Sequence, residues 1–203
     1  MSLTRRDRLR RAVILCSSFV RNIAIYRAGW TRKVKALLNS NHEHASFWRQ
    51  VNSNCVDACV LEWCKLFGDA KGKHRWQALV TDQGAFCREL LSYLEVDEAG
   101  FTAVSQTVKR YRDKFVAHLD DEQVMHIPEF ALALKAVHFL FDYIVKHEAT
   151  NGELHGLVRV DNALRRGYQQ EFDQAKQIFL TAMGRGTIPV VTAKKRAKEK
   201  GRK

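Results

Sequence analysis

The chain has 203 residues, a formal charge of +12, 46% hydrophobic residues and 28% charged residues. A chain of this length buries roughly 70% of the surface its unfolded form exposes, so it builds a core without a disulfide or metal staple. Its composition excludes a wholly disordered or fibrous protein. No apolar run reaches the roughly 20 residues of a bilayer-spanning helix: Ala12–Cys16 runs into Ser17-Ser18, and Phe139–Val145 contains Asp142. The Arg-rich start resembles the positive region of a signal peptide, but Arg21 and Arg27 follow too soon. With five Cys in no framework spacing, the expectation is a cytoplasmic protein in a reducing compartment, with no membrane partner. The charge sits at the two ends. Residues 1–12 carry five Arg and one Asp, and residues 190–203 carry seven Lys/Arg and one Glu, which leaves +2 for residues 13–189. Such ends attract nucleic acid without sequence preference, or simply stay solvated.

Helical spacing runs through almost the whole chain, and strand-type alternation is nearly absent. A first helix is predicted over 4–38, because Ala12, Cys16, Phe19, Ile23, Tyr26, Trp30, Val34 and Leu37 step by fours and threes along one face. That seam fits a core helix, a long antiparallel packing or a dimer contact. Asn39-Ser40-Asn41 ends it. A second helix, 44–67, has a stripe of Phe47, Val51, Cys55, Ala58 and Leu61, widened by Trp48, Cys59, Trp63 and Leu66, with Gly68 placed to close it. Residues 68–74 read as a loop. Asp82 is placed to cap a helix over 82–94, with Phe86, Leu90, Leu91 and Leu94 inward, and Asp97 to cap one over 98–119, with Phe101, Val104, Val108, Tyr111, Phe115 and His118 on its seam. Pro128 suits the start of a helix over 128–147. Asp161 is placed to cap a last helix ending at Gly184. The expectation is an all-α antiparallel bundle of about six helices over 1–186, followed by a disordered basic tail, 187–203.

Cys55, Cys59 and Cys64 share one predicted helix, which suits core packing better than the turn-borne Cys pairs of a zinc site. His42-Glu43-His44 lacks the helical spacing of a zinc-protease motif and reads as a polar helix start. His138 and Asp142 stand one turn apart and are placed to pair. No Gly-rich phosphate loop and no Gly-x-Ser-x-Gly elbow occurs in the sequence.

The chemically dense segment is Lys109-Arg110-Tyr111-Arg112-Asp113-Lys114-Phe115-Val116-Ala117-His118-Leu119-Asp120. Arg110, Lys114 and His118 are spaced by four and share a helix face, with Phe115, Ala117 and Leu119 beside them. A His among cations gives up its proton more readily, which brings it toward general-base duty. A guanidinium suits the forked grip of phosphate oxygens. Arg plus His is therefore a kit for splitting a phosphodiester without a metal or other cofactor. Along one regular helix, six residues turn through about 600°, so Arg112 and His118 would not meet unless the helix ends or distorts between them, or two protomers bring them together.

The run Arg112-Asp113-x-x-x-x-His118 resembles the Arg-polar-x(3–5)-His signature of the HEPN superfamily. Its flanking Tyr-Arg-Asp-Lys-Phe-Val-Ala-His-Leu-Asp is similar to HEPN proteins of the abortive-infection and toxin–antitoxin type, as are Leu61–Gly68 and His74-Arg75-Trp76. The resemblance covers roughly residues 45–145. It implies a helical bundle that forms a homodimer, with metal-independent endoribonuclease activity and an antitoxin or defence-system partner. Arg112 and His118 would be the catalytic pair and Asp113 the polar residue that orients them. Lys109, Arg110 and Lys114 would hold the RNA. Two alternatives stand beside this expectation: a non-catalytic helical module that binds nucleic acid or a protein, and a helical enzyme of another class using other His or Cys residues.

Overall fold

A computed structural model describes residues 3–69, 71–116, 126–150, 152–157 and 163–184. The protein is all-α. Among the described residues there are seven helices and no strand: α1 (Arg5–Gly29), α2 (Arg32–Leu38), α3 (Ala45–Trp63), α4 (Gln83–Leu94), α5 (Glu98–Tyr111), α6 (Ala131–Tyr143) and α7 (Ala163–Gly184). The basic tail predicted over 187–203 lies outside the described residues.

The first helix opens on a capping box. The Thr4 hydroxyl accepts from the Asp7 N–H at 3.1 Å, and the Asp7 carboxylate accepts back from Thr4 N–H at 3.4 Å. It then runs through the middle of the bundle, packed along α3 and α7 and touching α6. Ala12, Cys16, Phe19 and Ile23 are fully buried in the main core. The seam read from the sequence is therefore a core face of this chain over those positions.

The expected single helix over 4–38 is in fact two. At Gly29 the backbone comes so close to α3 that an added Cβ would lie 2.4 Å from Asn52 Oδ1. Trp30 closes α1, and Thr31, in extended backbone, opens α2. The apolar spacing continues across the break because Val34 and Leu38 turn into a second, smaller core with Ala28, Ala175, Phe179 and Met183. Spacing alone records which residues are buried, not whether one core or two bury them.

The predicted stripe of α3 also needs correction. Phe47 is 63% exposed and Leu61 is exposed, whereas Cys55, Val56, Cys59, Val60 and Trp63 are buried. At the start of α3 the neighbour is α7, and it is Trp48 that meets Phe179, edge to face at 5.4 Å. The caps assigned to Asp82 and Asp97 are present: their carboxylates accept from the N–H of Ala85 at 2.9 Å and of Gly100 at 2.7 Å. Pro128 is buried but does not start a helix. The sixth helix begins three residues later, after Phe130. The last helix agrees with expectation, although its proposed cap, Asp161, lies outside the described residues.

Three helices end in the same way. After α3, α5 and α6 the chain passes directly into a π-helical turn, over Cys64–Gly68, Arg112–Val116 and Ile144–Glu148. These turns use i→i+5 bonding and widen the helix by one residue, a device associated with functional or strained positions. The first packs against α5 and the second against α3, and this placement creates the site described next.

Candidate functional site

The Arg-rich segment lies at the end of α5. This helix turns Val108 and Tyr111 inward, and the Tyr111 hydroxyl donates to Asp57 Oδ1 on α3 at 3.0 Å. Burial, then the Asp57 carboxylate, raises the Tyr111 phenol above its ordinary value, so it remains a donor. One residue on, the π-turn starts and re-aims Arg112 toward the end of α3.

There the guanidinium meets two carboxylates. Arg112 Nε donates to Asp113 Oδ1 at 2.8 Å, Nη2 stands 2.8 Å from the same oxygen, and Nη1 donates to Asp69 Oδ1. The Arg112 side chain is only 17% exposed. Burial opposes its charge, but the hydrogen bonds to Asp69 and then Asp113 outweigh burial and raise its pKa above the usual arginine range. Arg112 is thus a fixed cation held between the first and second π-turns, with Asp113 and Asp69 against it.

The partners on the other side of the expected constellation are placed unevenly. Lys109 and Arg110 are exposed, and Lys114 is half-buried. Phe115 packs on Tyr111 with ring centroids 5.5 Å apart. His118, and with it Ala117, Leu119 and Asp120, lies outside the described residues. The helix does distort between Arg112 and His118, since the π-turn occupies Arg112–Val116. A cleft of about 340 Å³ opens between α4, α5 and the stretch after α3, lined by Arg75, Glu98, Gln106 and Lys109 but not by Arg112.

Asp69 is the residue that sequence reading missed. It lies just past Gly68 in a stretch read as loop, and nothing in its local pattern marks it as a partner of a residue 43 positions away. The only available signal was that Arg112 needed more than one acceptor if it was to be buried.

The other constellations resolve into structure. Cys55, Cys59 and Cys64 are all buried. Burial pushes the Cys64 thiol up to about 11 and raises Cys59 well above the ordinary value. Burial therefore favours the neutral thiol at both positions. The Cys59 thiol instead donates to the Phe19 carbonyl at 3.6 Å. His44 opens α3, and its Nε2 stands 3.3 Å from Glu43 Oε1. The expected His138–Asp142 pair does not form. Asp142 faces Arg165 at 3.7 Å, and His138 Nε2 is buried without a hydrogen-bond partner. The reason is α7, which brings Arg165 to Asp142 from outside the helix.

Comparison with protein-family models, curated proteins and solved structures finds no match for this chain. Among the described residues, no helix is long and apolar enough to cross a membrane.

Proposed function

We propose that the protein is a metal-independent endoribonuclease of the HEPN type, acting as a homodimer in a defence or toxin–antitoxin setting. The observation that carries this reading is Arg112, a guanidinium fixed by two carboxylates at a distorted helix end inside a cationic segment. In this reading His118 takes the proton from a ribose 2′-OH, which attacks the adjacent phosphorus. The P–O5′ bond breaks, the leaving oxygen takes a proton from the second protomer's imidazole, and a 2′,3′-cyclic phosphate remains. Arg112 stabilises the charge on the pentacoordinate phosphorus through the N–H groups that Asp69 and Asp113 leave unused. Lys109, Arg110 and Lys114 hold the flanking phosphates. Cleavage of single-stranded RNA in excess chelator tests this. His118→Ala is expected to slow it by roughly 100-fold or more while leaving the circular dichroism spectrum unchanged, and the product is expected to end in the cyclic phosphate. A His118→Ala protein that cleaves at the wild-type rate overturns the assignment.

One observation favours a second reading, a non-catalytic helical module that binds RNA or a protein partner. The Asp69–Arg112–Asp113 cluster carries a net negative charge, and an ion pair of this kind ties α3 to α5 whether or not RNA is present. RNA retained without cleavage, with affinity falling steeply as salt rises, supports it.

A further inference from the structure

The cleft between α4 and α5 carries an ordered row of polar side chains along one wall. Glu95, in left-handed backbone with φ 59°, turns the chain from α4 into α5. Beyond that turn α4 packs on α6, whereas α5 packs on the first π-turn. The two successive helices therefore part, and a space of about 340 Å³ stays open between them. That falls inside the roughly 300–1,000 Å³ of ligand pockets. Glu98, Thr102, Ser105 and Lys109 line it from α5, and their spacing of four, three and four puts them on one helix face. Trp76 and Phe101 contribute aromatic rings to the lining, and Glu98 is the only carboxylate among the described residues that form it. Glu98 and Lys109 are exposed, and neither makes a hydrogen bond or ion pair with a described residue. Ser105 and Thr107 turn their hydroxyls onto carbonyls of α5 itself, at 2.9 and 3.0 Å. Thr102, one turn past Glu98, makes no such bond among the described residues.

We propose that this cleft receives the base of a guanosine in an RNA strand, with Glu98 reading the base and Lys109 holding its phosphate. A carboxylate presents two acceptors side by side. Among the four RNA bases, guanine alone sets two donors next to each other on its pairing edge, N1–H and the N2 amino group. Adenine and cytosine set a ring-nitrogen acceptor beside their amino group, and uracil flanks its one N–H with two carbonyls. A carboxylate therefore repels part of the edge of every base except guanine. The guanine O6, next in line, accepts from the Thr102 hydroxyl, and the ring lies among Trp76 and Phe101. Eleven residues of helix put Lys109 about 16 Å beyond Glu98, so a nucleotide laid along α5 with its base at Glu98 brings its phosphate to Lys109. Arg112 follows within one turn, its N–H bonded to the Lys109 carbonyl. The course of the strand onward to Arg112 rests on the nuclease reading, and the recognition of guanine does not.

Ten-residue strands, 2′-O-methylated so that no 2′-OH is left to attack, test this by binding without cleavage. Oligouridylate is compared with the same strand carrying one G, one A or one C at its centre, by fluorescence anisotropy on the full chain. The G strand is expected to bind roughly fivefold or more tightly than the other three. Glu98→Gln turns one acceptor into a donor at an exposed position and is expected to bring the G strand to the level of the others. Lys109→Gln is expected to weaken all four strands alike, as loss of a phosphate contact does. Equal affinity for the four strands in the wild type, or a preference for G that Glu98→Gln leaves intact, overturns the proposal. Cleavage of the unmodified strands is followed separately. A preference for G without cleavage removes the nuclease reading and leaves this site standing, and cleavage without a preference for G in binding does the reverse.

Discussion

His138 shows how a residue's neighbours decide its chemistry. Its position one turn from Asp142 suggested an ion pair, yet Asp142 is engaged by Arg165 and the imidazole is left among cations. Burial, then Arg165 and Arg27, lowers its pKa to about 4. Protons below pH 6.5 therefore bind the unfolded chain in preference to the folded one. The stability that neutral His138 contributes is fully present above that pH and is lost as pH falls toward 4. The loss is expected to be on the order of 2 kcal/mol after allowance for solvent screening. Urea midpoints at pH 7 and pH 4.5 check this. The difference between them is expected to shrink in His138→Leu, and an equal pH dependence in both proteins counts against it. Glu62 runs the other way. Burial raises its carboxyl, against the hydrogen bonds from Ser18 and Asn22. A raised carboxyl favours the folded state only while protonated, so this contribution is present below pH 4.5 and disappears as pH rises. Glu62→Gln is accordingly expected to match or exceed wild-type stability at pH 7, measured by the same midpoints.

At the scale of elements, the three π-turns are where helices are tied together. The turn over Ile144–Glu148 ends on a carboxylate that is only 3% exposed. Glu148 Oε1 accepts from the Thr81 N–H at 2.7 Å, and Oε2 accepts from the Thr81 hydroxyl and from Arg5 Nη2, each at 2.7 Å. Arg5 Nη1 donates to the Glu148 carbonyl at 2.9 Å. One side chain thus joins the start of α1, the loop before α4 and the end of α6. Glu148→Ala removes the shared acceptor of the Thr81 N–H, the Thr81 hydroxyl and Arg5 and is expected to cost about 2 kcal/mol. Arg5→Ala, whose partner keeps two donors, is expected to cost less. Denaturant melts of both variants decide the order. The caps of α4 and α5 were legible in the sequence because an aspartate bonds to a backbone N–H three residues away. The roles of Asp69 and Glu148 were not, because their partners lie 43 and 67 residues away along the chain.

For the whole molecule, the sequence divides its charge from its fold. The span 13–189 is close to neutral, and the +6 of residues 190–203 is carried by the end of the chain. Replacing the seven Lys and Arg of that end by Gln is expected to flatten the salt dependence of RNA affinity. On single strands, the slope of log K against log salt falls by about 0.7 for every phosphate that the protein no longer neutralises. Fluorescence anisotropy at several salt concentrations gives that slope. An unchanged slope in the neutralised protein assigns phosphate binding to the helical body, where Lys109, Arg110 and Lys114 are the cations at hand.

The pattern of residues was enough to make this an all-α protein and to locate the caps of α4 and α5, because those choices depend on residues within a few positions of one another. Cysteine burial was legible for the same reason. Tertiary structure decided the break at Gly29, the rotation of the α3 stripe toward Trp48, the carboxylates around Arg112 and the isolation of His138. Each of these follows from a neighbour that packing brings in from a distant part of the chain, and helical periodicity carries no record of which neighbour that is.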